Sequence, residues 1–254
     1  MGRVYDLMRG VGISAALILI LEVVLNIFHT PTYIFPKPSE VWLALSADPF
    51  AVGAAWSLTV AEGMAGLVVA IVISSALAAL TIFLPGVVAR TINNLGIAIQ
   101  STPLLAIAPL LTLWFGQSFS AKASAACIVC FFPLLTGWLG GIRAVSPDYI
   151  QLFDNLSATA WQRTRVLIVP AALPYFFAGL RVAVPLALLG AIVGEFVGAS
   201  EGIGFRILAG SYYVRTAQMF GYVIIAAITG WSFSLVIVFV ERRLLFWHGQ
   251  NRSP

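Results

Sequence analysis

Three carboxylates stand where an acidic side chain is costly. Glu22, Glu62 and Glu195 fall within or near the ends of long apolar runs, and at such depth a carboxylate faces a bundle interior or a polar route and takes a partner. For Glu195 two readings stand: a residue on a route for polar matter, or the partner of Arg206 or of a helix end. Glu62 poses the same question, and Glu22 poses it in a more peripheral run. Gln100, Ser101 and Thr102 directly precede Pro103, so side-chain groups and backbone groups freed by the proline cluster together. Broken helices gather solute contacts at such points; hydroxyls there also serve simply to satisfy the backbone. Cys127 and Cys130, one turn apart, could do thiol or metal work, but C-x-x-C does so beside soluble redox folds or with further ligands. His29 and His248 are too distant to supply them, so the pair reads as two small apolar side chains in a packed helix. No Ser/His/Asp set or paired carboxylates converge, so no catalysis, cofactor or metal is expected.

A second polar constellation is larger. Residues 149–170 carry Arg163 and Arg165 between runs long enough to cross a bilayer, and the stretch closes on Pro170-Ala171-Ala172-Leu173-Pro174. Tyr149, Leu152, Phe153 and Leu156 follow i, i+3, i+4, i+7 spacing and make one apolar helical face. Asp148, after Pro147, is the expected N-cap. Ser157-Ala158-Thr159 forms a small-residue corner before a second amphipathic stretch, 160–169, and Pro174 suits the first turn of the following span. Two short helices meeting at a corner could dock a soluble protein. They could equally lie on headgroups with their arginines toward anionic lipid.

These groups need a scaffold, and composition dictates its solvent. The 254 residues are 60% hydrophobic and 9% charged, whereas a soluble domain is about one quarter charged. Several runs reach the roughly 20 residues that span hydrocarbon as helix. Backbone groups in lipid must pair internally, which leaves helical bundles and closed barrels; continuous apolar runs without alternation select the bundle. Spans are expected at 12–28, 54–83, 91–115, 123–142, 173–199 and 219–240, six in all. The first lacks an A-x-A-like cleavage site and reads as a retained span rather than a signal peptide. With both termini on one side, Arg3, Arg9, Arg90, Arg143, Arg163, Arg165, Arg242, Arg243 and Arg252 share that side, against Lys37, Lys122, Arg206 and Arg215. Basic residues concentrate in the cytoplasm, so both termini and 149–170 are expected there. The same rule accounts for the net charge of +4 without nucleic acid.

Pro103 and Pro109 should kink or open the third span, and Pro185 the fifth. Gly190, Gly194 and Gly198 form a small-xxx-small ladder, with a shorter copy at Gly137 and Gly141. Such ladders admit a close backbone, either within one subunit or from a twin. No internal repeat relates the halves, so a pathway would lie between two copies.

Residues 149–170 resemble the cytoplasmic "EAA" loop of permease subunits of binding-protein-dependent ABC importers, whose pattern is E-A-A, three residues, G, nine residues, I-x-L-P. Gln151-Leu152-Phe153 takes the E-A-A place, Ser157 the glycine place and Leu167-Ile168-Val169-Pro170 the closing place. Ala158, Trp161, Gln162 and the following PAALP match the form found in the branch serving nitrate, sulfonates, taurine, the pyrimidine precursor of thiamine, and riboflavin. The likeness runs along nearly the whole chain. It includes Phe35-Pro36-Lys37-Pro38-Ser39-Glu40-Val41, Gln100-Ser101-Thr102-Pro103, Ala108-Pro109-Leu110, Leu113-Trp114-Phe115-Gly116, Phe132-Pro133, Gly194-Glu195-Phe196 and Gly202-Ile203-Gly204.

The resemblance implies an all-α, type I importer-like permease of six transmembrane helices in the bacterial inner membrane, one domain over 1–254. It implies two cytoplasmic ATPase subunits docked through Gln151, Leu152, Phe153, Leu156, Ser157, Ala158, Thr159, Trp161 and Arg163. It also implies an extracytoplasmic substrate-binding protein, a second permease copy, and surrounding lipid. Gln100, Ser101, Thr102, Glu62 and Glu195 are the expected pathway residues. Lys37 and Lys122 sit in P-K-P and A-K-A, not beside the glycines of a phosphate-binding loop, so ATP hydrolysis would belong to the partner. Stretches 104–116 and 57–62 look closer to the pyrimidine-precursor and riboflavin members than to the sulfonate and nitrate members. The alternatives are a nitrate, sulfonate or taurine permease, or a stand-alone channel or secondary carrier.

Overall fold

In hydrocarbon a backbone satisfies its amides only within its own helix, and the apolar runs form helix throughout. The computed structural model describes residues 2–84 and 86–246, with no strand among them; His248 and Arg252 lie outside the described residues. The order is α1 (Gly2–Ile27), α2 (Pro38–Ser46), α3 (Pro49–Phe83), α4 (Gly86–Ser101), α5 (Leu104–Phe115), α6 (Phe119–Arg143), α7 (Pro147–Asn155), α8 (Ala160–Arg163), a π-helical turn (Thr164–Ile168), α9 (Val169–Phe196), α10 (Ile203–Tyr212) and α11 (Thr216–Leu244).

Among the described residues, four helices are long and apolar enough to cross a bilayer: α3, α6, the continuous Ala160–Phe196 rod and α11. The pair α4–α5 makes a fifth candidate, and α1 adds the shorter apolar stretch Ala15–Ile27. The expected span 91–115 is thus two helices bent by 94° at a break around Thr102–Pro103. Pro103 lacks an amide proton and pushes Thr102 away from helical dihedrals, so it ends α4 and stands as the N-cap of α5. Pro109 and Pro185 do not break their helices; each forfeits one backbone bond and the helix runs on.

A second departure concerns the expected start at 173. The rod begins at Ala160, and Pro174 lies inside α9. Pro170 falls in the first turn of α9, and just before it the helix widens so that the Val169 amide donates to Thr164 O. Sequence periodicity cannot reveal such a widened turn, because the apolar pattern on either side is unchanged.

At the centre α6 packs against α3 and, most intimately, against α9. Contacts run 62 to 122, 66 to 126 and 75 to 138 between α3 and α6, which are parallel. They run 122 to 194, 126 to 190, 137 to 175 and 141 to 172 between α6 and α9, which are antiparallel. The glycines make this approach possible. A Cβ on Gly190 would come 2.6 Å from Ala126 Cα, and one on Gly194 3.1 Å from Lys122 Cα. Gly137 and Gly141 meet Tyr175 and Ala172 in the same way. Of the two readings of the ladder, the one within a single subunit holds for Gly190 and Gly194; Gly198, at φ +152°, only closes the helix. In lipid, packing of this kind rather than apolar burial drives helices together.

The periphery is looser. Helix α1 leaves Leu17, Leu19, Val23 and Ile27 exposed, and its tie to the rest runs through α2. Glu22 accepts from Ser39 N (3.0 Å) and Ser39 Oγ (2.7 Å), so this acid caps the start of α2.

Candidate functional site

The stretch 147–168 folds as the spacing predicts on its first half: α7 presents Tyr149, Leu152 and Leu156 on an exposed face. Its N-cap is Ser146, whose hydroxyl accepts from Asp148 N; Asp148 itself lies within the first turn. The expected N-cap is off by two because Pro147 suits the first helical position.

The corner has defined chemistry. Ser157 adopts φ +52°, the left-handed conformation that favours glycine. Ala158 N donates to Phe153 O (3.0 Å) and Ser157 N to Asp154 O (3.0 Å), the bond pair by which a left-handed residue satisfies a helix's last carbonyls. Ser157 therefore adopts the left-handed turn that glycine would take more readily. Thr159 then opens α8 with a reciprocal cap: its hydroxyl accepts from Gln162 N (3.3 Å) while its own amide donates to Gln162 Oε1 (2.8 Å). Arg163 bridges back to Asp154 at 2.9 Å, so the angle between α7 and the long rod is held from both sides. On this frame Leu156 is 68% and Trp161 66% exposed, with Gln151, Leu152, Ser157 and Thr159 also exposed and Phe153, Ala158 and Arg163 half-buried.

Glu62 and Glu195 come together at the opposite end of the bundle, both 1% exposed. Glu195 accepts from Thr59 Oγ1 (2.5 Å) and from the Gly204 amide, and Thr59 Oγ1 accepts from Ile203 N (2.8 Å). The carboxylate and its threonine thus meet the first amides of α10, where an anion is favoured by unpaired N–H groups and the helix dipole. Arg206 makes no ion pair with Glu195; of the two partners expected for Glu195, the helix end is the one observed. Gly202 and Gly204 are explained by the same contact. A Cβ on either would run into the Glu195 carboxylate, and Gly202 has φ +102°.

Lys122, 8% exposed, donates to Gln117 O (2.9 Å) and stands 4.0 Å from Glu62. Thr59 and Lys122 were not legible as members of this set. The spacing of Thr59 and Glu62, three apart on one helix face, is the signal that could find the first.

Glu195→Ala would leave the Gly204 amide buried without an acceptor, at about 1–3 kcal/mol, while the Thr59 hydroxyl keeps Ala55 O as its acceptor (3.0 Å). Thermal unfolding of the purified protein in lipid nanodiscs should fall by roughly 5–10 °C, with Glu195→Gln losing less than half as much. Equal losses from both variants would remove the hydrogen-bonding role.

Gln100, Ser101 and Thr102 stand apart from this cluster and are exposed. Ser101 Oγ donates to Ile97 O (2.8 Å) and Thr102 Oγ1 to Ala98 O (3.0 Å), so these hydroxyls serve the broken backbone. Gln100 instead borders a groove of about 430 Å³ between α4, α6 and α9. On α9 the groove ends at Val182, about 20 Å along the helix from Glu195 at 1.5 Å per residue. The five expected pathway residues thus form two separate sets.

A family model described as "Binding-protein-dependent transport system inner membrane component" matches residues 66–245. The formylaminopyrimidine transport permease protein of Halalkalibacterium halodurans is 34% identical over 208 residues, 81% of this chain and 82% of the relative. A probable ABC transporter permease protein of Haemophilus influenzae is 30% identical over 233 residues, 92% and 93% of the two chains. Among solved structures, a chain of an amino acid ABC transporter crystallised with histidines superposes with a TM-score of 0.63 at 20% identity, over 78% of this chain and 96% of the other.

Proposed function

We infer, from the premise that this chain belongs to the family of binding-protein-dependent transport system inner membrane components, that residues 149–170 dock a cytoplasmic ATPase whose strokes move the helices lining a solute route. As a member of that family the chain is a multi-pass permease subunit of an ABC importer. The observation that carries the docking reading is the exposed apolar corner of Leu152, Leu156 and Trp161, held rigid by caps and by the Asp154–Arg163 pair. Lipid would receive such residues equally well on a plain interfacial helix; a braced corner suits a protein socket. Helix α8 continues without interruption into the 37-residue rod that reaches Glu195, so a push at Trp161 acts directly on the span packed against α6.

The bundle end that bears the corner also carries Arg143, Arg163, Arg165, Arg242 and Arg243, which supports a cytoplasmic placement. The assembly is read as two permease copies, two ATPases and an extracytoplasmic binding protein. The glycine ladder is occupied within the subunit, so the contact between copies is assigned to other exposed faces, such as α5 with Leu105, Leu113 and Trp114. The cargo is read as a small uncharged heterocycle of the pyrimidine or riboflavin kind, a reading supported by the likeness to a formylaminopyrimidine permease over 81% of this chain.

Co-expression with an ATPase and a binding protein of the same importer tests this. The three are expected to co-purify, and proteoliposomes holding them to take up a formylaminopyrimidine only with internal or cytoplasm-side ATP. Uptake by the chain alone, driven by an ion gradient, would instead make it a carrier.

A further inference from the structure

The groove beside Gln100 is walled by α6 and α9. Phe132 and Thr136 of α6 face Tyr175, Gly179 and Val182 of α9 across it, and none of its lining residues is charged. It exists because α6 and α9 pack closely here: a Cβ on Gly179 would strike Pro133 O, and one on Gly137 would lie 2.8 Å from Tyr175 O. With two glycines in contact, the larger side chains on either side stand up as walls around a trough. The Pro103 break opens its third side, because α5 leaves α4 at 94° instead of covering it.

Polar groups in the trough are few and free. The Thr136 hydroxyl donates to Phe132 O (3.0 Å), which leaves its lone pairs available. The Gln100 carboxamide and the Tyr175 hydroxyl have no hydrogen-bond partner among the described residues, and Tyr175 is 46% exposed. One carboxamide offers a donor and an acceptor side by side, the pattern that pairs with the edge of an amino-substituted nitrogen heterocycle. Two aromatic rings supply faces for a flat solute. An anion would shed its water here and meet no cation, which is costly at this depth.

We propose that this groove is a solute-contact site on the transport route, built for a flat, uncharged nitrogen heterocycle whose edge pairs with Gln100 and whose faces lie against Phe132 and Tyr175. The proposal rests on the permease reading and adds the contact residues to it. Tyr175 and Gln100 are specificity-determining residues, and the hydroxyl of Thr136 accepts from the solute's ring substituent.

The test uses the complete transporter in proteoliposomes with its binding protein, and formylaminopyrimidine, riboflavin and taurine as probes. Gln100→Leu and Tyr175→Leu should each lower the uptake rate of the favoured heterocycle at least 10-fold per assembled complex. Gln100→Asn and Tyr175→Phe should retain more. A cysteine at Thr136, in a background where Cys127 and Cys130 are alanine, should react with a water-soluble maleimide, and heterocycle delivered during turnover should slow that reaction at least 5-fold. Heterocycle uptake that is normal in both leucine variants, with no protection at position 136, overturns the groove while leaving the permease reading intact. A wild-type transporter that moves taurine and neither heterocycle overturns the uncharged solute class and the groove's chemistry with it. Absence of ATP-driven uptake of every probe by a complex that does hydrolyse ATP with its binding protein overturns the heterocycle cargo and the groove's chemistry while leaving the permease reading intact.

Discussion

Leu156→Glu combined with Trp161→Glu is expected to release the ATPase from the permease while the permease remains folded and inserted. Both side chains are about two-thirds exposed, so neither change removes packing within the subunit. Each apolar side chain buried in a socket contributes about 1.5–3 kcal/mol, and two carboxylates in that socket add desolvation without a partner. A combined loss of about 3 kcal/mol or more weakens Kd over 100-fold. Size-exclusion chromatography of the detergent-solubilised complex should show separate permease and ATPase peaks, and solute-stimulated ATP turnover should vanish. Phe153 makes the contrast. It is half-buried, so Phe153→Asp should also remove packing at the corner itself, seen as faster proteolysis between 153 and 160. Co-elution of the double variant with normal turnover would remove the docking assignment.

The second large effect is expected from Gly66→Leu or Gly190→Leu, which should abolish the folded subunit. A Cβ on Gly66 would lie 2.6 Å from Ala126 Cβ and 2.8 Å from Cys127 N, and would strike Ala123 O; one on Gly190 would lie 2.6 Å from Ala126 Cα. Both glycines of α3 and α9 therefore press on the same turn of α6, where the obstacles are backbone and cannot rotate away. Overpacking typically costs ~1–3 kcal/mol where side chains can yield, and here they cannot. Almost no monodisperse protein should be recovered, and any recovered should unfold well below wild type. Gly53→Ala is the control: no atom lies within 4 Å of its Cβ position, and alanine should raise stability by up to ~1 kcal/mol through helix propensity. A wild-type melting profile for Gly190→Leu would mean that α6 and α9 are not in contact in the membrane.

Much of this architecture was readable before any coordinates, and the limits have physical causes. A helix in lipid must be continuous and apolar, so composition alone located α3, α6 and α11 within a few residues of their observed ends. The i, i+3, i+4, i+7 pattern of Tyr149, Leu152, Phe153 and Leu156 likewise placed α7, because a helix on an aqueous surface still writes its period in side-chain type. Pro103 announced the break between α4 and α5 through a missing amide, whereas at 109 and 185, where a kink or an opening was expected, the helix stays continuous. A proline states only which hydrogen bond is lost; whether the chain bends there depends on what packs against it.

Pairing across the chain was beyond the sequence. Glycines every fourth residue say that a backbone comes close, and only the tertiary structure says that the backbone is α6 of the same subunit. Glu195 was recognisable as a carboxylate needing a partner, but Arg206, the obvious countercharge, is not that partner. Thr59, 136 residues away, and the amides of α10 satisfy it instead, since a helix start offers several donors without the cost of burying a cation. Gln100 was singled out by the proline after it, whereas Tyr175, Phe132 and Thr136 carried no mark at all. Their meeting in one groove depends on two glycine contacts between antiparallel helices, and a linear pattern holds no record of which faces meet. Sequence determined that this chain is a membrane-embedded helical bundle with an amphipathic corner; tertiary packing decided which polar groups share a site, because that choice is made by contact between helices and not by the period within any one of them.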